Sequence, residues 1–93
     1  MKMSQEQFDN ALIAIWEGKI NIQDDCHLSV LAAICCALHI PEERLWKLKQ
    51  PQIKRLINGL DRSGRNSLRK VAQSEYITPS IEKLRQAWPL EDQ

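Results

Sequence analysis

Hydrophobic residues recur at helical spacing from the start of the chain, and the first stripe predicts a helix over about residues 5–17. Ser4, followed three residues later by Gln7, forms a capping box before this helix. Gly18 suits the left-handed residue just beyond its end. The stripe consists of Phe8, Ala11, Leu12, Ile15 and Trp16.

A second apolar run, from Leu28 to Leu38, predicts a buried helix. Its residues are apolar at nearly every angle around the axis, which is typical of a helix surrounded by other elements. Asp24 and Asp25 precede it and offer a side-chain cap and a favourable charge at its N-terminus. The run is too short to span a bilayer, so we expect it to be the central core element.

Prolines and small polar residues divide the rest of the chain into short helices. Pro41 and Pro51 suit the first turns of a third helix over about residues 41–49 and of a fourth helix that follows. Ser63 is a candidate cap for a fifth helix, and Thr78 and Pro79 begin a sixth. The apolar positions are Ile53, Leu56, Ile57 and Leu60 in the fourth, Leu68, Val71 and Ala72 in the fifth, and Ile81, Leu84 and Trp88 in the sixth.

These elements predict an all-α fold. A chain of 93 residues has room for one core, so we expect residues 1–93 to form a single helical domain. Only three glycines and four prolines interrupt the chain, too few for the frequent turns of an all-β fold. The expected architecture is a compact orthogonal bundle of five to six short helices with the second helix central.

Charge is distributed unevenly along the chain, although the net charge is only +1. Residues 1–43 carry two bases against seven acids, whereas residues 44–70 carry nine bases and Asp61 alone. We call residues 44–70 the basic segment. Like charges repel one another when they are crowded on one surface. The crowding therefore indicates either a surface that binds a partner or a surface that nearby acids neutralise, and both alternatives stay open. Neutralisation would come from Glu42, Glu43, Asp61 and the acidic flanks.

Helical spacing predicts that the bases of this segment face outward. Arg62 and Arg65 are expected in a flexible connection between the fourth and fifth helices, and Trp46 lies about 100° from Leu45 on the helical wheel. That angle leaves both core packing and partial exposure open for Trp46, while Trp16 and Trp88 are expected in the core. The candidate binding residues are Arg44, Trp46, Lys47, Lys54, Arg55, Arg62, Arg65, Arg69 and Lys70.

The stretch from Ile34 to Leu48 resembles a helix-turn-helix motif. Residues 38–40 occupy the turn, Cys35 the small contact position, and Leu45 and Leu48 the anchors of the second helix. His39 stands where glycine is usual, because the turn needs a positive φ. The resemblance implies DNA docking by the second helix, but Glu42 and Glu43 lie at the end that would face phosphates.

The sequence offers little for catalysis, and we expect a protein that is not an enzyme and has no catalytic residues, metal or cofactor. His27 and His39 have no evident nucleophile partner, and no glycine-rich phosphate loop is present. Cys35 and Cys36 are expected in the core, whereas Cys26 lies in a first helical turn whose dipole would favour a thiolate. We nevertheless expect Cys26 to be an inert, partly buried thiol, and a reactive thiol is the alternative.

The patterns together favour a small binding protein such as an adaptor, inhibitor or assembly subunit. Its expected partner is an acidic protein surface, and the alternative is nucleic acid, with the same bases on phosphates. The three cysteines make a poor disulfide framework, and the N-terminus lacks the apolar stretch of a secretory signal. We therefore expect a cytoplasmic protein that does not act at a membrane.

Overall fold

The computed structural model describes residues 2–87, and within them the chain forms helices and no strand, which confirms the all-α prediction. Six α-helices and one short 3₁₀ helix follow one another. Their bounds are α1 Gln5–Trp16, α2 Asp25–Leu38, α3 Glu42–Leu45, α4 Gln50–Asn58, α5 Arg62–Ala72, the 3₁₀ helix Glu75–Ile77, and α6 Thr78–Ala87.

Helix α2 is the central element, as its apolar surface predicts. It packs against α1, α3, α5, α6 and the 3₁₀ helix. Every side chain from Leu28 to Cys35 is buried. Cys36, expected in the core, is exposed on the last turn, because the surrounding helices cover α2 only up to Cys35. Among the described residues, no helix combines the length and the apolar character that crossing a membrane requires.

Helix α1 begins and ends as predicted. The Ser4 hydroxyl accepts the Gln7 amide N–H at 3.1 Å, and the Gln7 side chain accepts the Ser4 amide N–H at 2.9 Å. At the other end Gly18 has a φ of 77°. The amides of Gly18 and Lys19 reach back to carbonyls in the last turn of α1. Both ends therefore satisfy backbone groups that a helix leaves without partners.

A side chain from α4 also caps the end of α1. The Gln50 amide group donates to the carbonyls of Ile15, at 3.2 Å, and Trp16. A Cβ placed on Gly18 would lie 2.9 Å from Gln50 Oε1, so the glycine leaves the space that Gln50 occupies. This contact fixes the start of α4 against the end of α1.

Two later helices differ from the prediction. Helix α3 ends at Leu45 rather than near residue 49, and the next residues form looser turns, with the Leu48 amide bonded to the Leu45 carbonyl at 3.1 Å. Pro51 has no N–H to continue a helix that runs into it, and it lies instead in the first turn of α4. The single turn of α3 therefore connects α2 to α4 rather than forming a long helix.

Helix α5 begins earlier than predicted. Asp61, not Ser63, is its N-cap, and the Asp61 carboxylate accepts the Gly64 amide N–H at 2.7 Å. Asp61 can fill this position because its acceptor reaches an amide three residues on. As a consequence Arg62 and Arg65 lie on a regular helix and not in a flexible connection, so the backbone holds both in fixed positions.

The tryptophans only partly follow the predicted core. Trp16 is half-buried at the edge of the core, because its indole ring lies between α1 and α4. Trp46 is also half-buried and packs against the core.

In α6, Leu84 is buried and Ile81 is half-buried. The predictions for Trp88 and for the acidic end of the chain fall outside the described residues.

We predict that Gly18→Ala destabilises the protein by about 1–3 kcal/mol. The substitution forces a side chain into the left-handed region and against Gln50. Urea denaturation measures the change. Gly59→Ala is the matched control, because Gly59 has an ordinary helical φ of −77°, and there alanine should leave stability unchanged or raise it by up to about 1 kcal/mol. Equal losses in the two variants would contradict this explanation.

Candidate functional site

The amphipathic helices α4 and α5 bury a few apolar residues and turn the bases of the basic segment outward. Ile53 and Ile57 of α4 and Leu68 and Ala72 of α5 are buried. Lys54 and Arg69 are half-buried, and the other bases of the segment are exposed. These exposed bases are Arg44, Lys47, Lys49, Arg55, Arg62, Arg65 and Lys70.

The acids next to the basic segment are held by α6. Lys83 of α6 lies 3.5 Å from a carboxylate oxygen of Glu42 and 3.1 Å from one of Glu43. The Ser80 hydroxyl donates a hydrogen bond to the other oxygen of Glu42. Asp61 is occupied in capping α5. These three acids, which were expected to neutralise the segment, therefore have other partners.

The bases themselves are not paired with any carboxylate of the described residues 2–87. Within residues 2–87, none of the nine bases of the basic segment comes within 4.0 Å of a carboxylate oxygen, since the ion pairs there involve His27, Lys83 and Arg85. Exposed ion pairs contribute little stability individually. The lack of ion pairs in this segment therefore has little effect on stability, but it leaves the positive charge available for binding a partner.

The environment of the acid pair keeps both carboxylates ionised at neutral pH. The Ser80 hydrogen bond is the largest influence on Glu42 and lowers its pKa, with Lys83 adding to the effect. Hydrogen bonding to the backbone and to Lys83 lowers the pKa of Glu43. The two carboxylates in turn raise the pKa of Lys83. The three groups thus hold one another charged.

Arg44 and Arg55 line one groove. Its walls are the last turn of α2, the short helix α3 and the middle of α4. We call it the Arg44–Arg55 groove, and its volume is about 510 Å³. Leu38 is 37% exposed at one side, and the other apolar side chains are half-buried. The groove is lined by Leu38, His39, Ile40, Arg44, Leu48, Gln52, Arg55 and Leu56. It joins an apolar floor to two guanidinium groups that have no carboxylate partner within residues 2–87.

The apolar residues of this groove are functional candidates that the sequence did not reveal. Leu48 and Leu56 stand at core spacing in the sequence, where they are interpreted as an anchor and a stripe residue. The available signal was the charge of Arg44 and Arg55, which lie close to them along the chain. Only the packing of α4 beside the end of α2 shows that these leucines remain accessible.

Lys54 and Arg65 flank a second depression around Trp16. The Lys54 ammonium lies 4.4 Å from the centre of the Trp16 ring, within the range of a cation–π contact. The Trp16 indole N–H donates to the Asn58 side chain at 3.0 Å. Arg65 lines this depression together with Asp9 and the 55% exposed Ile13. It therefore carries charge of both signs.

The remaining candidates are not gathered in the Arg44–Arg55 groove. Arg62 and Arg65 share a shallow depression with Asp61 on α5. Arg69 donates through Nε to the Met3 carbonyl at 3.3 Å, so it stabilises the N-terminal segment. Lys47, in the turn after α3, and Lys70, on α5, are exposed outside the groove. Trp46 follows directly after α3 and packs on the core.

The turn of the predicted helix-turn-helix adopts the backbone that the resemblance requires. His39 has φ 55° and ψ 44°, in the left-handed region, and the Ile40 amide reaches back to the Cys35 carbonyl at 3.0 Å. The helix after the turn has only four residues, and its first acids bind Lys83. A recognition helix needs residues free to reach base edges along a groove of DNA, and this turn of helix offers few.

The surroundings of Cys26 and Cys35 disfavour the thiolate form. Burial is the main influence that raises the pKa of Cys26, with Asp24 and Asp25 adding to it, and this direction favours an inert thiol over a reactive one. Burial likewise raises the pKa of Cys35 to about 12. Among residues 2–87, no three His, Cys, Asp or Glu side chains are grouped as metal ligands would be. The accessible chemistry of the described surface lies in its bases and apolar grooves.

Comparisons of the chain with protein-family models, with curated proteins and with solved structures find no match. The surface chemistry described above is therefore the basis for assigning a function.

We predict that Ser80→Ala lowers the free energy of unfolding by about 1–2 kcal/mol at pH 7, because Glu42 loses a hydrogen bond to its charged form. Folding lowers the pKa of Glu42, so this stabilisation is present in full above the ordinary value of 4.5 and is lost as the pH falls through the lowered value. Urea denaturation between pH 7 and 3 should show the difference from the wild type shrinking below pH 4.5.

Ser67→Ala is the control for this prediction, because Ser67 is exposed on α5. This substitution should change stability by less than about 0.5 kcal/mol at every pH. A constant difference between wild type and Ser80→Ala across the titration would show that the Glu42 carboxylate is not involved.

Proposed function

We propose that this chain is a non-enzymatic, cytoplasmic binding protein that docks an acidic protein partner through the bases of residues 44–70. The observation that supports this most is that these nine bases have no carboxylate partner among residues 2–87. Positive side chains that no carboxylate neutralises raise the local concentration of negatively charged ligands and increase association rates. The partner would supply carboxylates for these bases, because Glu42 and Glu43 bind Lys83 and Asp61 caps α5.

A protein partner suits this surface better than nucleic acid does. The Arg44–Arg55 groove pairs its two guanidinium groups with exposed and half-buried leucines. Arginine and apolar side chains together are typical of protein interfaces, whereas a phosphate backbone uses only the charge. The short α3, with its acids bound to Lys83, favours the same choice.

We predict that Arg44→Glu/Arg55→Glu abolishes capture of the protein partner in affinity purification from the source cells. Lys2→Glu/Lys19→Glu is the matched control, since it changes the net charge equally at two exposed bases outside the basic segment. Proteins lost with the first variant and retained with the second should bind through acidic regions. Identical sets of captured proteins for wild type and both variants would contradict the proposal.

The same proteins distinguish nucleic acid as partner. Fluorescence anisotropy with duplex and single-stranded DNA should show no binding at physiological salt. Tight binding whose log affinity falls with log salt by about 0.9 for each neutralised phosphate, and which Arg44→Glu/Arg55→Glu removes, would replace the acidic protein by nucleic acid.

A further inference from the structure

The Arg44–Arg55 groove keeps large apolar side chains in contact with water. Leu38, at the last turn of α2, is one of three exposed large hydrophobic residues within the described part of the chain. Ile40 and Leu48 pack against the core on one side and line the groove on the other. Contact of apolar surface with water is unfavourable, so an occupant with apolar side chains would gain free energy by covering this floor.

The charges at the groove indicate which residues the occupant carries beside its apolar side chains. Arg44 and Arg55 are exposed, and neither is within ion-pair distance of a carboxylate in residues 2–87. A guanidinium group binds carboxylates through paired hydrogen bonds of fixed geometry. The occupant should therefore carry Asp or Glu beside its apolar residues.

The walls of the groove indicate the backbone conformation of the occupant. The end of α2, the turn of α3 and the middle of α4 form these walls, and residues 2–87 contain no strand. The groove therefore offers no sheet edge to pair with an extended peptide. An occupant that buries its backbone here must satisfy its own amides and carbonyls, as a helix does.

We infer that the Arg44–Arg55 groove binds an amphipathic, acidic α-helix of a protein partner. The inference rests on the proposed function and deepens it by naming the kind of segment that docks. Apolar side chains of that helix, spaced three and four residues apart, cover Leu38 and Leu48, and its flanking carboxylates bind Arg44 and Arg55. This is the helix-in-groove mode of peptide recognition. Nucleic acid fits less well, because among residues 2–87 no Trp, Tyr or Phe lines the groove for a base to stack on.

Selection of random 16-residue peptides displayed on phage tests the inference directly. The immobilised wild-type protein should enrich peptides that are acidic and carry apolar residues at helical spacing. The selected peptides, synthesised and titrated in solution, should become helical by circular dichroism when bound. Their affinity should fall more than about tenfold with Arg44→Glu/Arg55→Glu and also with Leu38→Gln, which alters an already exposed position and should leave the fold intact.

Ile13→Gln is the matched control, because Ile13 is an exposed apolar residue beside Trp16 and outside the groove. It should leave peptide affinity unchanged. Absence of enriched acidic peptides, bound peptides that stay extended, or affinity that is insensitive to both groove variants would overturn the inference. Acidic peptides that depend on Arg62 and Arg65 instead would overturn the groove but leave the proposed function standing. Binding of duplex DNA with no acidic peptide selected would overturn both.

Discussion

The contact of Glu42 and Glu43 with Lys83 determines the character of the surface formed by α3 and α4. Because α6 holds these two carboxylates, they do not neutralise the bases that follow them along the chain. The Ser80 hydrogen bond makes the arrangement specific, since it places one oxygen of Glu42 against α6. The same contacts attach α3 to the bundle, so the interaction that stabilises this corner also keeps these two carboxylates away from its bases.

The local signals in the sequence were sufficient for the all-α class, for the ends of α1 and for the central position of α2. Ser4, Gln7 and Gly18 act through neighbours within a few residues, so the ends of α1 follow from the sequence alone. The uniform apolar character of α2 likewise predicts its central position. The predicted start of α5 was wrong, because Asp61 and Ser63 can both cap a helix and the prediction chose Ser63. Choosing between them depends on how closely α5 approaches the preceding turn, which is a tertiary property.

The candidate site was less predictable than the fold, because its properties depend on contacts between distant parts of the chain. Charge counting identified the basic segment, but the partner of Glu42 and Glu43 lies on α6, far along the sequence. Leu38 is exposed at a groove whose opposite wall is the middle of α4, and Gln50 fixes the start of that helix against the end of α1. Periodicity assigns a leucine to one face of a helix and does not reveal what covers that face.

The central claim is that bases and apolar side chains of one groove act together on an acidic helix. Nuclear magnetic resonance of the ¹⁵N-labelled protein tests it most directly, with a synthetic peptide that carries leucine at helical spacing and glutamate at the remaining positions. The account predicts that amide shifts during the titration concentrate at residues 38–40, 44–48 and 52–56. Shifts centred on Trp16 and α5, or no shifts beyond those caused by added salt, would contradict it.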